Sequence, residues 1–529
     1  MTANLQARDA VLLVLALTLV IAVIGRRVRT PLPIVLAGVG LVLGLLWTVV
    51  EGLPPVRLSG DIVLFIFLPP LLTRASYALP LGALRSNLRS IGMLAFGLVL
   101  VTMLGAAWTM RLFDSTIPWA AALVLGAIVS PPDPVAATAV SRRTGLPHRL
   151  VTILEGEGLL NDAVAIVAYQ LALEAATSGD FSWGHTALAL AREAPVGLVI
   201  GLAAGWVSAR VRRGMRDVNV EAALSLFLPY ATYELATRAQ ASGVLAVVAF
   251  GLYMRRSMDE RGTPIARMAS RTVWSAVELA TTTVVFMLVG IELGVILPAV
   301  LTPARLLAGI AVTVAVIALR MLWMHSIPHL LRVAAVPGGG GPVPTRGELT
   351  VLGWSGMRGV VSLALAVALP TLAGDDQQQH IRMSLIAVST VVVLVTLLVQ
   401  GVTLLPLVDW LQVGDPDREQ RDEDRTRHRA ARAGQAALAR MAASGRLSDE
   451  RRAAIDARLQ HGDIGLARAR MSAVDCAALG TALDAQREVI TTMREGGRIG
   501  DSLASALATE LDVDAVRLQG ESARLAGEG

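Results

Sequence analysis

Apolar residues dominate the chain in blocks of roughly 18 to 25 positions that recur from about residue 10 to residue 411. A helix needs roughly 20 residues to cross the hydrocarbon core of a bilayer, so each block is long enough to span one. Spans are expected near 9–25, 31–48, 61–78, 90–112, 118–140, 150–176, 187–209, 221–237, 242–254, 273–297, 303–325, 349–371 and 382–407. Beyond residue 413 the pattern changes. Charged and small residues alternate at helical spacing, as in RDEDRTRHRAARAGQAALARMAA, with few aromatics to build a large core. The expected fold is an all-α polytopic membrane protein of about 13 transmembrane helices over residues 1–412, followed by a small helical cytoplasmic tail domain over 413–529.

Composition agrees. The chain is 54% hydrophobic and 17% charged, too apolar for a soluble fold. The net charge of +5 comes from Arg alone, since no Lys is present. On a soluble chain a basic balance points to nucleic acid or a membrane surface; here the arginines fall in loops, so the lipid bilayer is the expected partner and nucleic acid is not. The lone cysteine, Cys476, sits in the polar tail, which excludes an intrachain disulfide and fits a cytoplasmic compartment. At the N-terminus, Arg26, Arg27 and Arg29 follow the first apolar run instead of preceding it, which reads as a retained span and not a signal peptide.

The arginines alternate. Loops after spans 1, 3, 5, 7, 9 and 11 hold Arg26, Arg27, Arg29; Arg74, Arg85, Arg89; Arg142, Arg143, Arg149; Arg210, Arg212, Arg213, Arg216; Arg255, Arg256, Arg261, Arg267, Arg271; and Arg332, Arg346. The intervening loops carry Arg57, Arg111, Arg192, Arg238, Arg305 and Arg382, one each. By the positive-inside rule the N-terminus lies outside and the tail in the cytoplasm of a multi-pass cell-membrane protein.

An ionisable side chain inside a span costs at least a few kcal/mol, so it marks a pathway or a site. The dense cluster is in spans 5 and 6. Span 5 contains SPPDPVAAT, with Asp133 between Pro132 and Pro134 and a further proline at 131. These prolines remove amide donors and break the helix at its middle. Broken backbone at that depth survives only inside protein or beside a cavity, where freed carbonyls and half-helix ends can ligate ions. Span 6 contains EGEGLLND, with Glu155, Glu157, Asn161 and Asp162; Glu157 and Asn161 share a face, and Asp162 lies about 100° further round. Hard monovalent cations want oxygen ligands, which Asp162 and the carbonyls of the broken span supply, with Asp133 and Asn161 nearby. Cation and proton then compete for Asp162: binding one expels the other, and only a loaded carboxylate is neutral enough to cross the apolar barrier.

Glu157 reads as half of a fixed ion pair that orients Asn161. Two arginines lie deep enough to be its partner, Arg320 in span 11 and Arg358 in span 12. Arg358 belongs to GWSGMRGVVS, whose glycines make a second interruption, and its charge suits the carbonyl end of a broken helix. Spans 5 and 12 occupy matching positions in two six-span halves, as two inverted repeats of opposite orientation around span 7 require. Of the other glutamates in spans, Glu221 and Glu348 sit at ends that reach water, and Glu278 and Glu292 are expected to pair with neighbours. None is assigned an ion.

These residues resemble the sodium/proton antiporters of the NhaP and NHE type. The likeness runs through FLPPLL at 67–72, SPPDPVAAT at 130–138, GEGLLNDAVAIV at 156–167, LVGIEL at 288–293 and GMRGVVSLALAVALP at 356–370, and the tail, ending in LDVDAVRL, is similar to that of bacterial members. The resemblance implies a thirteen-span fold with crossed discontinuous helices, a homodimer, an elevator motion, an ion site at Asp162 with Asp133 and Asn161 close by, and a Glu157–arginine pair for which Arg320 is the closer match. The Asn161–Asp162 pairing marks the electroneutral branch. Gly158 and Pro132 stand where many relatives carry hydroxyl residues, so the choice among Na+, Li+ and K+ stays open. Thr73 and Arg74 replace the aromatic and acidic residues common after FLPPLL.

The expected function is secondary transport, exchange of a monovalent cation for H+ with no cofactor. The alternatives are a potassium/proton antiporter of the same fold and, from another class, an intramembrane aspartyl protease built on Asp133 and Asp162. The GxGD segment usual in such proteases is absent. For the tail, sensing of pH or a ligand stands beside a solvated appendage that aids assembly.

Overall fold

The structure, a computed structural model, describes residues 16–21, 31–49, 60–78, 92–133, 146–178, 183–212, 215, 217–333, 344–370, 376–413, 417–461 and 472–527. The two ends of expected span 1, residues 134–140 of span 5, and Arg26, Arg27, Arg29, Arg57, Arg85, Arg89, Arg142, Arg143, Arg213 and Arg216 lie outside them.

Every regular element among the described residues is helical. Span 2 is α1 (Leu32–Val49) and span 3 is α2 (Gly60–Ala78). A π-helical turn, Met93–Leu98, leads into α3 (Val99–Phe113), and α4 (Trp119–Val129) follows. Next come α5 (His148–Ser178), α6 (Trp183–Arg212), α7 (Val218–Arg238), α8 (Gly243–Arg261), α9 (Pro264–Val300) and α10 (Pro303–Val333). Span 12 is in two pieces, α11 (Arg346–Trp354) and α12 (Val360–Val367). Span 13 comprises α13 (Asp376–Val395), a second π-helical turn at Thr396–Gln400, and α14 (Gly401–Leu411). The tail supplies α15 (Arg418–Ala443), α16 (Asp449–His461), α17 (Ala473–Glu495) and α18 (Asp501–Gly527). Seven of the described helices are long and apolar enough to cross a membrane.

Polar residues at the helix starts accept the first free amides. Asp217 takes the Asn219 N–H at 2.8 Å, and Ser242 takes that of Leu245 at 3.3 Å. Thr345 and Glu348 form a reciprocal capping box. Thr263 caps α9, with Pro264 in its first turn. Span 10 therefore starts nine residues earlier than hydropathy alone marks, and Arg267 and Arg271, expected in a loop, are helical.

Among the described residues, three smaller apolar cores and two large ones lie in the membrane part. One joins α1, α5, α9 and the span 13 helices through Leu36, Leu154, Met287, Ile291 and Leu397; the other joins α3, α4, α10 and α13 through Met103, Ile128, Val316 and Val388. Leu100, Leu104, Trp108 and Leu112 point outward along one face of α3, an apolar stripe suited to lipid. The α1 helix crosses α9 at close range. Side chains added at Gly40 and Gly44 would strike the α9 backbone, and ones at Gly290 and Gly294 would strike α1. This is the small-xxx-small contact that lets membrane helices approach closely.

The tail helices share a core of their own, including Leu438, Ile455, Cys476, Leu479, Leu483 and Leu507. Their contact with the membrane part is centred on one carboxylate. Asp512 of α18 is fully buried. Its Oδ1 accepts from Arg267 Nη2 at 2.6 Å, and its Oδ2 accepts from Arg271 Nη1 at 3.4 Å. Arg487 of α17 donates to the same Oδ1, and Arg271 also donates to Thr509 Oγ1 at 2.9 Å. Burial, and then the adjacent charge of Arg267, lowers the pKa of Arg487. Asp512 thus holds together cations that otherwise repel one another across the seam. Asp512→Ala is expected to cost about 3–5 kcal/mol of docking energy, the usual effect of removing one partner of a buried pair. Hydrogen exchange measures it: amides of α18 should exchange faster, while those of α3 and α4 stay protected. Thr509→Ala, which removes one of the Arg271 bonds, should speed α18 exchange by much less.

Candidate functional site

The α4 helix stops at Val129, with Ser130 as its C-cap, because the prolines at 131 and 132 cannot continue its hydrogen-bond ladder. The α11 helix stops at Trp354, and residues 356–359 run without regular structure before α12 begins. The two unwound segments meet. Asp133 N donates to Met357 O at 2.6 Å, so each segment supplies a backbone partner that its own helix has lost. Arg358 N is met by Thr396 Oγ1 at 3.1 Å. The Arg358 side chain, almost wholly buried, donates from Nε to Val129 O at 2.9 Å and from Nη1 to Gly356 O. A cation thus caps the carbonyl end of α4, where the helix dipole favours positive charge.

Two glycines make room for this. A side chain at Gly359 would overlap the Asp133 carboxylate, and one at Gly356 would overlap the Arg320 guanidinium stem. Asp133 and Arg320 pass through spaces that only glycine leaves open.

On α5, Glu157 is 1% exposed and faces Arg320 of α10, itself 1% exposed. The pair is bidentate: Arg320 Nη1 donates to Oε1, and Nη2 donates to Oε2 at 2.9 Å. Nη2 also donates to Leu352 O at 3.2 Å, tying α11 to the same guanidinium. Of the two deep arginines, Arg320 is the one that meets Glu157, while Arg358 serves backbone carbonyls.

Asn161 Nδ2 donates to Glu157 Oε1 at 3.2 Å. Because an ionised carboxylate only accepts, the amide nitrogen must face Glu157, which turns Oδ1 away from it. That oxygen is buried and has no hydrogen-bond partner among the described residues. Asp162, the next residue, is partly accessible. It has no hydrogen bond or ion pair among the described residues, and Asp133 lies near enough for the two charges to repel. The cluster therefore holds one carboxylate locked to an arginine, one without a fixed counter-ion, and an orphaned amide oxygen beside it.

The other span glutamates have structural partners. Glu278 pairs with Arg74 at 2.7 Å, Glu221 with Arg212, Glu234 with Arg238 at 2.7 Å, and Glu348 caps α11; Glu292 is buried in α9. The Arg74 substitution in span 3 is thereby matched by an acid on α9. Thr396 is a contributor that sequence reasoning missed; its only signal was a hydroxyl in the middle of span 13. Among the described residues no three His, Cys, Asp or Glu side chains converge as a divalent-metal centre requires.

Three comparisons bear on this arrangement. The family described as "Sodium/hydrogen exchanger, transmembrane" matches residues 13–410. An uncharacterized Na+/H+ exchanger of Mycobacterium tuberculosis is 29% identical over 94% of this chain and 93% of its own length, a match long enough to take in most of the tail. The Na+/H+ antiporter NhaH of Halobacillus dabanensis is 30% identical over 76% of this chain and 97% of its own length. Among solved structures, the sodium proton antiporter MjNhaP1 from Methanocaldococcus jannaschii at pH 8 superposes with a TM-score of 0.58 at 19% identity, covering 76% of this chain and 97% of that one.

The Glu157–Arg320 pair gives a stability prediction. Arg320→Met strands a buried carboxylate and is expected to cost about 3–5 kcal/mol, read as a lowered melting temperature in detergent. Adding Glu157→Leu to it should recover most of that loss. No recovery would mean that the pair does not hold α5 to α10.

Proposed function

The chain belongs to the sodium/hydrogen exchanger family, and from that premise we propose that Asp162 alternately carries a monovalent cation and a proton across the cytoplasmic membrane. The protein is a monovalent cation:proton antiporter, a transporter and not an enzyme, which sets the aspartyl-protease alternative aside. Sodium is the first cation in this reading. Potassium and lithium stay open, since Gly158 and Pro132 leave no hydroxyl ligand at their positions; a relative from Bacillus pumilus, 29% identical over 75% of this chain and 61% of its own length, bears the name "Sodium, potassium, lithium and rubidium/H(+) antiporter".

The observation that carries the proposal is the orphaned Asn161 Oδ1 beside Asp162. A buried acceptor without a donor costs about 1–3 kcal/mol, and a cation or its water offsets that cost. With Glu157 held by Arg320, Asp162 is the carboxylate left to exchange its ligand. Asp133 and carbonyls of the unwound segments complete the oxygen shell, and Arg358 holds the half-helix that carries Asp133. One exchanging carboxylate swaps one cation for one proton, so the cycle is electroneutral. Loaded with either, Asp162 is neutral enough for the site to face each side in turn.

The rest of the reading is a frame for that site. Residues 1–412 form thirteen spans, with two inverted six-helix repeats flanking span 7, and residues 413–529 form the cytoplasmic tail domain. The N-terminus lies outside, and two chains associate as a homodimer. The orientation is supported by the arginine alternation and by Asp512, which binds the tail to the arginine-rich end of α9.

Purified protein in liposomes holding an internal pH dye tests the proposal. Addition of Na+, Li+ or K+ in turn should alkalinise the lumen for at least one of them, and Asp162→Asn should abolish the response. Full exchange by that variant would remove Asp162 from the site, and silence toward every cation would remove the function.

A further inference from the structure

Gln400 ends the π-helical turn Thr396–Gln400 in span 13. It is 1% exposed, and neither Oε1 nor Nε2 of its carboxamide has a hydrogen-bond partner among the described residues. Ser362, Ser389 and Thr390 also carry unpaired buried hydroxyls, but a helical hydroxyl has a ready outlet in the carbonyl one turn back. A buried carboxamide has two donors and an acceptor to satisfy and no such local outlet. Leaving both ends unmet costs more than any other neutral group in this helix, while leucine would fill the same space among its apolar neighbours at no such cost.

Its position is informative. Thr396, at the start of the same turn, receives the amide of Arg358 where the two broken spans cross. Gln400 lies one turn beyond it, about 5 Å nearer the end of span 13 from which the tail departs. The next residue, Gly401, is closely approached by Met357 of the crossing and by Ile34 of α1, so this stretch of span 13 runs past the crossing. π-helical turns inside α-helices are frequent at functional sites because the extra residue re-aims side chains.

We propose that the Gln400 carboxamide oxygen is a ligand for the transported monovalent cation on the tail-side approach to Asp162, a site in addition to Asp162, Asp133 and Asn161. The inference rests on the antiport reading of the Asp162 site. Cations entering from the tail side shed water there before reaching the carboxylate, with Nε2 free to donate to a water that travels with the ion. A neutral ligand suits this place. It lowers the cost of dehydration without adding a second titrating charge, which would change the proton count of the cycle.

The test compares the parent with Gln400→Leu and with Gln400→Met, whose flexible side chain tolerates the same cavity. The readouts are the melting temperature in detergent, its rise with Na+ or Li+ at constant ionic strength, and the half-saturating cation concentration for exchange in liposomes. A ligand worth about one hydrogen bond predicts a roughly fivefold rise in half-saturation and a matching weakening of the cation-induced melting shift. The pH profile should keep its position, and the melting temperature without cation should be equal or higher. Unchanged half-saturation in a stabilised or unaltered variant would overturn the proposal, leaving the amide a structural group served by buried water. Failure of both variants to give folded protein would overturn it too, since the amide would then have structural partners. Exchange that persists in Asp162→Asn while Gln400→Leu weakens cation binding would sink the Asp162 reading and leave Gln400 standing.

Discussion

Backbone amides and carbonyls released by a broken helix have no water to turn to inside a bilayer, and the rest of this structure follows from where they find partners. Two spans are broken at the same depth, and each completes the other. Asp133 N reaches Met357 O, Arg358 N reaches Thr396 Oγ1, and the Arg358 side chain gathers Val129 O and Gly356 O. The crossing pins α4, α11, α12 and α13 together. The glycines at 356 and 359 are consequences of the same crossing, since Arg320 and Asp133 pass where a side chain would stand.

Upon that scaffold the charges divide into fixed and exchangeable. Arg320 neutralises Glu157 bidentately, and Glu157 turns the Asn161 amide so that its oxygen faces away without a donor. Arg358 donates to the backbone carbonyls of Val129 and Gly356. Asp162, partly accessible and near Asp133, is the carboxylate left without an ion-pair partner among the described residues, and it is the one proposed to exchange its ligand. The tail obeys the same rule at the opposite extreme of mobility. Asp512 is buried under Arg267, Arg271 and Arg487, an arrangement that fixes α18 to the first turns of α9.

The sequence carried the membrane class, the end of α4 at the prolines 131 and 132 and the break at the 356–359 glycines, because proline and glycine act locally and their effects do not wait on tertiary contacts. It marked EGEGLLND as the candidate site for a similar reason: ionisable groups inside apolar blocks stand out against their surroundings. It left Arg320 and Arg358 as equal candidates for Glu157 on residue chemistry alone, since the choice depends on how α10 lies against α5. The Asp512 junction was invisible, as its partners are about 240 residues apart in sequence. Hydropathy also misplaced the start of span 10, because Arg267 and Arg271 read as loop residues until the tail supplies their counter-charge. Gln400 escaped notice because a single carboxamide in an apolar run is unremarkable until its burial and missing partners are known.

At the centre of the account is competition at one carboxylate, and proton release on cation binding measures it most directly. Detergent-solubilised protein in weak buffer, titrated with Na+, Li+ or K+, should release about one proton for each cation bound. Asp162→Asn should release none, while Asn161→Ala should release protons at higher cation concentrations. Undiminished release from Asp162→Asn, or cation binding by the parent without release, would contradict it.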